Sequence, residues 1–327
     1  MAQLLGHTLG TPGYSLTEAL DLFAEAGLDG AEIIWQNGYK AAIPEDDGGE
    51  VRAAVKRQAG DLGLRIGCLT PYVTDLNSPD QEIRRRDLAR IQAAIEVAAD
   101  LECPRMRMYG GTLVDATPAD EIGPRWTYLV ESLHALGSIA WSHGVVLCVE
   151  NHFSTMTVSA TDTVRLVTEV DSPGVGILYD QANLAFTHRE GFEEAINLQA
   201  PWIRHVHVKD LEFIDPHRQL STSGVASIDK ASRVHMSRMI GDGILDWSAI
   251  IDRLRSAGYD GSYSLEYEYR WNPQDLPDPA VGFPESARRL RALVGAASPM
   301  PLSLSGPASV VTQSPVRSDG ARTGDGR

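Results

Sequence analysis

Cysteine is scarce in this chain of 327 residues: Cys68, Cys103 and Cys148 are the only three, widely spaced and without a CxxC. An odd, scattered set favours a reducing cytosol over a disulfide framework. Positive charge is also short. A formal net charge of −15 argues against a surface built to grip nucleic-acid phosphates, though not against a local basic pocket for a small anion. No charged-then-apolar leader opens the chain and no apolar run approaches a membrane span, so a soluble cytoplasmic protein is expected. Two phosphate-binding signatures are missing: no glycine-rich dinucleotide fingerprint follows the first strand, and there is no P-loop. The remaining composition is ordinary. Hydrophobic content of 43% and charged content of 22% suit a soluble globular enzyme of one large domain or two smaller ones.

Against that background the run Val145-Val146-Leu147-Cys148-Val149-Glu150-Asn151-His152 stands out. A continuous valine-rich apolar run suits a strand buried on both faces, as in parallel sheets. This one ends in a carboxylate, an amide and an imidazole. A carboxylate is costly to bury without a partner. In parallel α/β architectures the C-terminal rim of the strands is where ligands and metals sit.

The rest of the chain alternates short apolar runs with longer amphipathic ones. Strands are expected at residues 3–8, 30–35, 64–70, 104–109, 145–150, 174–180, 203–210 and 262–267. Helices are expected at about residues 15–27, 49–62, 78–100, 118–142, 161–170, 191–200, 246–254 and 285–294. Ser15 and Glu18 have the spacing of a capping box, Pro79 stands in a first helical turn, and Asp246 caps the helix that follows it. Eight strand–helix units fit a single-domain (β/α)8 TIM barrel, an α/β fold, over residues 1–297. An open doubly wound sheet is the competing architecture. Two segments break the rhythm. Residues 211–245 form a long connection after the seventh strand, carrying His217, Arg218, Lys230, Arg233, His235 and Arg238. On that side of a strand, such a loop overhangs the active-site face. Residues 298–327 turn to Ser, Pro, Gly, Thr and Arg and read as a disordered tail.

Four successive strands deliver one metal-type ligand each to the same rim: Glu150, Asp180, His207 and Glu266. Strand parity agrees, since Val146, Cys148 and Glu150 share a face, as do His205 with His207 and Ser264 with Glu266. Taken singly, each has an ordinary structural explanation as a salt-bridged or packed residue. Four together at one depth indicate a metal centre. Three carboxylates and one imidazole suit a labile divalent ion, Mn2+ first, with Co2+ and Mg2+ as alternatives; Zn2+ prefers more nitrogen or sulfur. Glu150, Glu266 and His152 are the candidate bases. His152 shares parity with Glu150, and a loop histidine in solvent is its competing reading. His205 sits one layer deeper and is either a substrate contact or a packed residue. Trp35, Arg107 and Tyr109, with Arg105, are candidates for lining a polyol or anion pocket. Glu268 is either a supporting group or a surface residue.

These residues resemble the sugar phosphate isomerase/epimerase group of xylose-isomerase-like TIM barrels. The resemblance rests on Val149-Glu150-Asn151, on YDQAN (residues 179–183), on HVHVKD (residues 205–210), and on GDGILDW (residues 241–247) followed by GYDGSYSLE (residues 258–266). The segment at residues 14–33 looks like the group's opening helix and second strand, and the likeness covers residues 3–295. It implies a Glu–Asp–His–Glu metal site at Glu150, Asp180, His207 and Glu266. In the group's ketose 3-epimerases the two metal-bound glutamates also relay the proton. This chain departs from that pattern, with Asn183 where those enzymes have a histidine, Phe213 where they have an arginine and Met156 where they have a glutamate. Asn183 is carried as a substrate-side candidate, and a free ketohexose is put in doubt. The related zinc endonucleases need further ligands and a DNA-binding face, which the net charge opposes.

The function expected is a metal-dependent isomerase or epimerase of a sugar, keto-sugar or cyclitol, which removes a proton beside a metal-bound carbonyl. An ion that chelates the carbonyl and its neighbouring hydroxyl stabilises the resulting enediolate, and a positioned base takes the proton. One alternative is a lyase on the same scaffold, such as the catalytic subunit of an enzyme that cleaves oxidised (3-oxo) C-glycosides. The other is a non-catalytic sugar-binding barrel. The expected partner is a small carbohydrate-type substrate, with no nucleic acid and no membrane. A homo-oligomer is expected, and a small partner subunit is left open.

Overall fold

The apolar runs become eight parallel strands: β1 (Leu4–His7), β2 (Gly30–Trp35), β3 (Arg65–Pro71), β4 (Arg105–Tyr109), β5 (Val146–Glu150), β6 (Val175–Asp180), β7 (Ile203–Val208) and β8 (Tyr263–Leu265). The computed structural model describes residues 2–187, 190–215, 217–218, 220–225 and 233–296. Each strand pairs in parallel with the next, and β8 pairs with β1, so the sheet closes into a TIM barrel without a free edge. A two-residue strand, Ala42–Ile43, extends the sheet beside the end of β2. The strands are buried on both faces, which is why they read as continuous apolar runs.

Local chemistry sets the helix starts. Ser15 accepts from the Glu18 backbone N–H while the Glu18 carboxylate accepts from the Ser15 backbone N–H, completing the capping box before the helix Leu16–Glu25. Asp246 accepts from Ala249 and opens the helix Trp247–Ser256. The long third helix starts later than expected. It runs Gln81–Asp100, because the Asp80 carboxylate accepts from the Glu82 N–H and Pro79 lies outside. The last helix starts earlier, at Pro279–Ala296, with Pro284 accommodated inside it. A short helix that the sequence pattern did not announce, Gln181–Thr187, follows β6 directly and places Asn183 above the strand ends.

The connection after β7 is more ordered than a long loop. Asp210–Phe213 pairs antiparallel with His235–Arg238, forming a hairpin above the barrel rim. The hairpin rests on a second, smaller apolar cluster of Phe153, Ala182, Phe186, Leu211 and Val234. Lys230 and residues 298–327 lie outside the described residues. Among the described residues, no helix is long and apolar enough to cross a membrane.

Candidate active site

The register of the barrel carries four polar groups to one point. Glu150 closes β5, Asp180 closes β6, His207 stands one residue before the end of β7 and Glu266 follows β8 directly. One ligand atom from each lies within 4.8 Å of every other. His207 Nδ1 is 3.4 Å from both Glu150 Oε1 and Glu266 Oε2, and 3.9 Å from Asp180 Oδ2. One of these buried atoms, His207 Nδ1, has no hydrogen-bond partner, while Asp180 Oδ2 is met by the Lys209 ammonium at 2.9 Å. Buried polar atoms are nearly always satisfied, so an unpaired ring nitrogen facing three carboxylates leaves room for an ion. Three carboxylates around one imidazole fit a divalent cation held by oxygen and nitrogen.

The electrostatics report the same crowding. Burial, aided by Glu266 and Glu150, pushes the Asp180 carboxyl up to about 7 against the opposing pull of Lys209. Burial works against a charged Glu150, but Arg107, His152 and His207 together outweigh it and hold that carboxyl far below the usual range. The Arg107 Nε and a terminal nitrogen both lie 2.7 Å from Glu150 Oε2, and the guanidinium stacks on Tyr109 at 3.5 Å. Asn183 donates to Glu150 Oε1 at 3.1 Å, and its backbone N–H donates to Asp180 Oδ1. Asn151 ties the two strands together by donating to the Asp180 carbonyl and accepting from its N–H.

Above the cluster lies a cavity of about 230 Å³, lined by Tyr72, Arg107, Tyr109, His152, Phe153, Phe186, Lys209, Arg233, His235, Glu266, Glu268, Trp271 and Asn272. His152 is therefore a buried pocket residue and not a solvent-exposed one. Its Nδ1 lies 2.7 Å from the Phe153 carbonyl, which accepts and so fixes the proton there, leaving Nε2 with the lone pair. Burial lowers its pKa to about 4, more than Glu150 raises it. An unperturbed imidazole is thus the wrong description of this candidate base.

Not all the sequence candidates meet in this pocket. Trp35 is buried in the main core and does not line the cavity, because the end of β2 turns its ring into packing. His205 lies a layer below, bonded to Glu32 and Ser262. Arg105 sits at the N-terminal end of β4, beside Arg65 at the opposite mouth of the barrel. Glu268, left undecided by sequence, lines the pocket and pairs with Lys209.

Sequence reasoning missed three members. Lys209 continues the His205–His207 parity, and its Nζ stands 2.6 Å from Glu266 Oε2, 2.9 Å from Asp180 Oδ2 and 3.3 Å from Glu268 Oε1. Its position within HVHVKD was the available signal. Glu32 was a lone carboxylate inside the apolar run GAEIIW, where burial demands a partner. His235 came from the long connection, where no periodicity indicated which residues fold inward; its ring stacks on Phe186 at 4.4 Å.

A family model described as xylose isomerase-like TIM barrel matches residues 20–293. The chain belongs to that family. Among curated relatives, the inosose dehydratase of Geobacillus thermodenitrificans is 28% identical over 161 residues, which is 49% of this chain and 50% of the relative. The inosose dehydratase of Bacillus thuringiensis (strain Al Hakam) is 26% identical over 172 residues, 52% of this chain and 53% of that protein. The chain thus spans about half the length of the curated relatives it matches. Among solved structures, the 3-keto-D-glucoside 4-epimerase of E. coli superposes with a TM-score of 0.68 at 19% identity, covering 89% of this chain and 100% of that one. A D-psicose 3-epimerase solved with D-fructose gives 0.69 at 17%, covering 90% and 99%. At these identities the structural likeness speaks for the barrel alone.

Proposed function

We propose that this family member is a divalent-metal-dependent isomerase or epimerase that removes the proton beside the carbonyl of a sugar, keto-sugar or cyclitol. The observation that carries the reading is the convergence of Glu150, Asp180, His207 and Glu266 on the floor of a pocket that also presents His152 and Lys209. Those four residues would hold the ion, Mn2+ by preference for so oxygen-rich a set. Bound there, it supplies Lewis acidity toward the carbonyl and its neighbouring hydroxyl. The chain's own residues move the proton. His152, neutral and with Nε2 unprotonated, accepts it; Glu266, which lines the same pocket, is the second base candidate. The Lys209 ammonium and the Arg107 guanidinium bring positive charge to the same cavity, where they favour the negative charge that grows on substrate oxygen. Tyr109 and Asn183 orient the groups that touch substrate. Three free, buried cysteines go with a cytoplasmic enzyme.

A second reading, a lyase, has its own support. The curated relatives are dehydratases, and the pocket offers both a neutral base, His152, and a charged donor, Lys209, able to protonate a leaving oxygen. Both readings share the first step. The test is turnover of a 3-keto-glucoside and of an inosose in deuterated water. Label should enter the carbon beside the carbonyl; chelation should stop turnover and Mn2+ restore it. His152→Ala should cost about 100-fold or more in kcat, the usual share of a positioned base. Loss of water from the product selects the lyase. Turnover indifferent to chelation ends the metal reading, and unlabelled product favours a direct hydride shift. Full activity in His152→Ala assigns the proton to the glutamates.

A further inference from the structure

Below the four ligands lies a drier layer that the proposed chemistry does not touch, organised around Glu32. Its carboxylate, wholly buried, meets four side chains from three other strands. Thr70 Oγ1 donates to Oε1 at 2.6 Å, His205 Nε2 stands 2.9 Å from Oε2, and His207 Nε2 stands 3.1 and 3.2 Å from the two oxygens. His7 Nε2 completes the ring at 3.5 Å from Oε1. In His7 the tautomer is fixed from the far side, since its Nδ1 accepts from the Leu9 backbone N–H and its hydrogen must sit on Nε2, toward Glu32. A carboxylate has only acceptors to offer, so an imidazole nitrogen that bonds it carries its hydrogen there.

The consequence falls on His207. Its Nε2–H is committed to Glu32, so Nδ1 is the nitrogen left for an ion, and Nδ1 is the atom that faces Glu150, Asp180 and Glu266. Metal-bound histidines elsewhere are held in this way by a carboxylate on the distal nitrogen, and losing that partner weakens metal binding. We propose that Glu32 is a positioning residue. It locks the His207 imidazole in the Nε2–H tautomer and at the ring angle that aims Nδ1 into the ligand cluster. Thr70 and His205 hold Glu32, and Ser262 in turn braces His205 at 3.1 Å. The second histidine of HVHVKD is then a ligand and the first is the brace of its support.

The inference rests on the metal-centre reading above, and the two are separable by experiment. Co2+ and Mn2+ binding is measured by calorimetry on the wild type, Glu32→Gln and Thr70→Val, with the visible absorption of the Co2+ forms and the histidine 15N spectrum of each protein. Expected are a 10- to 100-fold weaker affinity and an altered Co2+ band in Glu32→Gln. Thr70→Val, which frees one anchor of Glu32 and touches no histidine, should show a smaller loss in the same direction. In the 15N spectrum the His207 Nε2 should carry its hydrogen in the wild type, whether or not Nδ1 is also protonated, and should lose it or shift its resonance in Glu32→Gln. Folded Glu32→Gln with wild-type affinity and Co2+ band overturns the proposal. If Glu32→Gln does not fold, Thr70→Val decides, and unchanged affinity and band there overturn it. Should the wild type take up neither ion, the metal reading is what fails. The 15N spectrum, which needs no ion, then judges Glu32 alone: an Nε2–H resonance that stays unchanged in Glu32→Gln removes its positioning role.

Discussion

At the scale of single residues, the Arg107–Glu150 pair explains how a carboxylate is kept charged at the base of a closed pocket. Both side chains are buried, at 2% and 0% exposure, and two nitrogens reach one oxygen at 2.7 Å. A pair of this kind adds little over an apolar pair of equal volume, but removing one partner strands the other. Arg107→Met should therefore lower unfolding free energy by about 3–5 kcal/mol, measured by urea denaturation of the metal-free protein. A loss under about 1 kcal/mol would mean that Asn183 alone satisfies Glu150, or that Glu150 takes up a proton. His152 illustrates the limit of reading residues from sequence. Its parity placed it near Glu150, and the next residue, Phe153, fixes its Nδ1 proton, but its burial and lowered pKa come from packing that the local chain does not contain.

At the scale of elements, the hairpin after β7 is held by one carboxylate. Asp210 Oδ2 accepts from Gly241 and Gly243, and Oδ1 accepts from Leu211 and Leu245. That accounts for the GDGIL segment: an added Cβ on Gly243 would lie 2.1 Å from Asp210 Oδ1, so only glycine lets the turn close around the carboxylate. Asp210→Ala leaves four N–H groups without their acceptor. It should cost about 2–4 kcal/mol, at roughly 1 kcal/mol per hydrogen bond, with water taking over at the exposed ones. Limited proteolysis should cut faster within residues 235–246. Because Arg233 and His235 travel with the hairpin into the pocket, KM should rise more than kcat falls. Unchanged proteolysis would show that the apolar cluster under Phe153 and Phe186 holds the hairpin unaided.

For the whole molecule, several histidines fold into the interior uncharged. Burial lowers His7, His152 and His235 each to about 4 from an ordinary value of 6.5. Between pH 6.5 and about 4 the unfolded chain binds protons at these positions and the folded chain does not, so stability falls as pH falls through that window. His205 is lowered by burial as well, while His207 and Asp180 act in the opposite sense: burial opposes charge on His207, yet Glu266 and Glu32 raise it, and burial raises Asp180 to about 7, two groups against four. Net destabilisation on the order of a few kcal/mol is expected from pH 7 to pH 4. Melting temperature measured across that range, with metal absent, should decline as pH falls through this window. A flat profile from pH 7 to pH 4 would show that the three rings gain compensating partners when protonated.

The barrel was legible because a parallel strand buried on both faces must be written in consecutive apolar residues, and eight such runs recur with helical stretches between them. The convergence of Glu150, Asp180, His207 and Glu266 was legible for a related reason: strand parity and strand order are one-dimensional facts, and in a closed barrel the ends of consecutive strands are neighbours. Capping residues such as Ser15 and Asp246 act within one helical turn, so they too stand in the sequence. What tertiary structure decided was everything that depends on closure across the barrel. Glu32 meets His205 and His207, more than 170 positions along the chain, only because β2 and β7 face one another across the interior. Lys209 joins the ligand cluster because β7 ends where it does, and His235 enters the pocket because its hairpin packs on Phe186. Trp35, equally plausible by pattern, was turned into the core instead. Pairing across space selects among residues that a linear pattern presents as equals, since burial and hydrogen bonding depend on partners that the local chain does not contain.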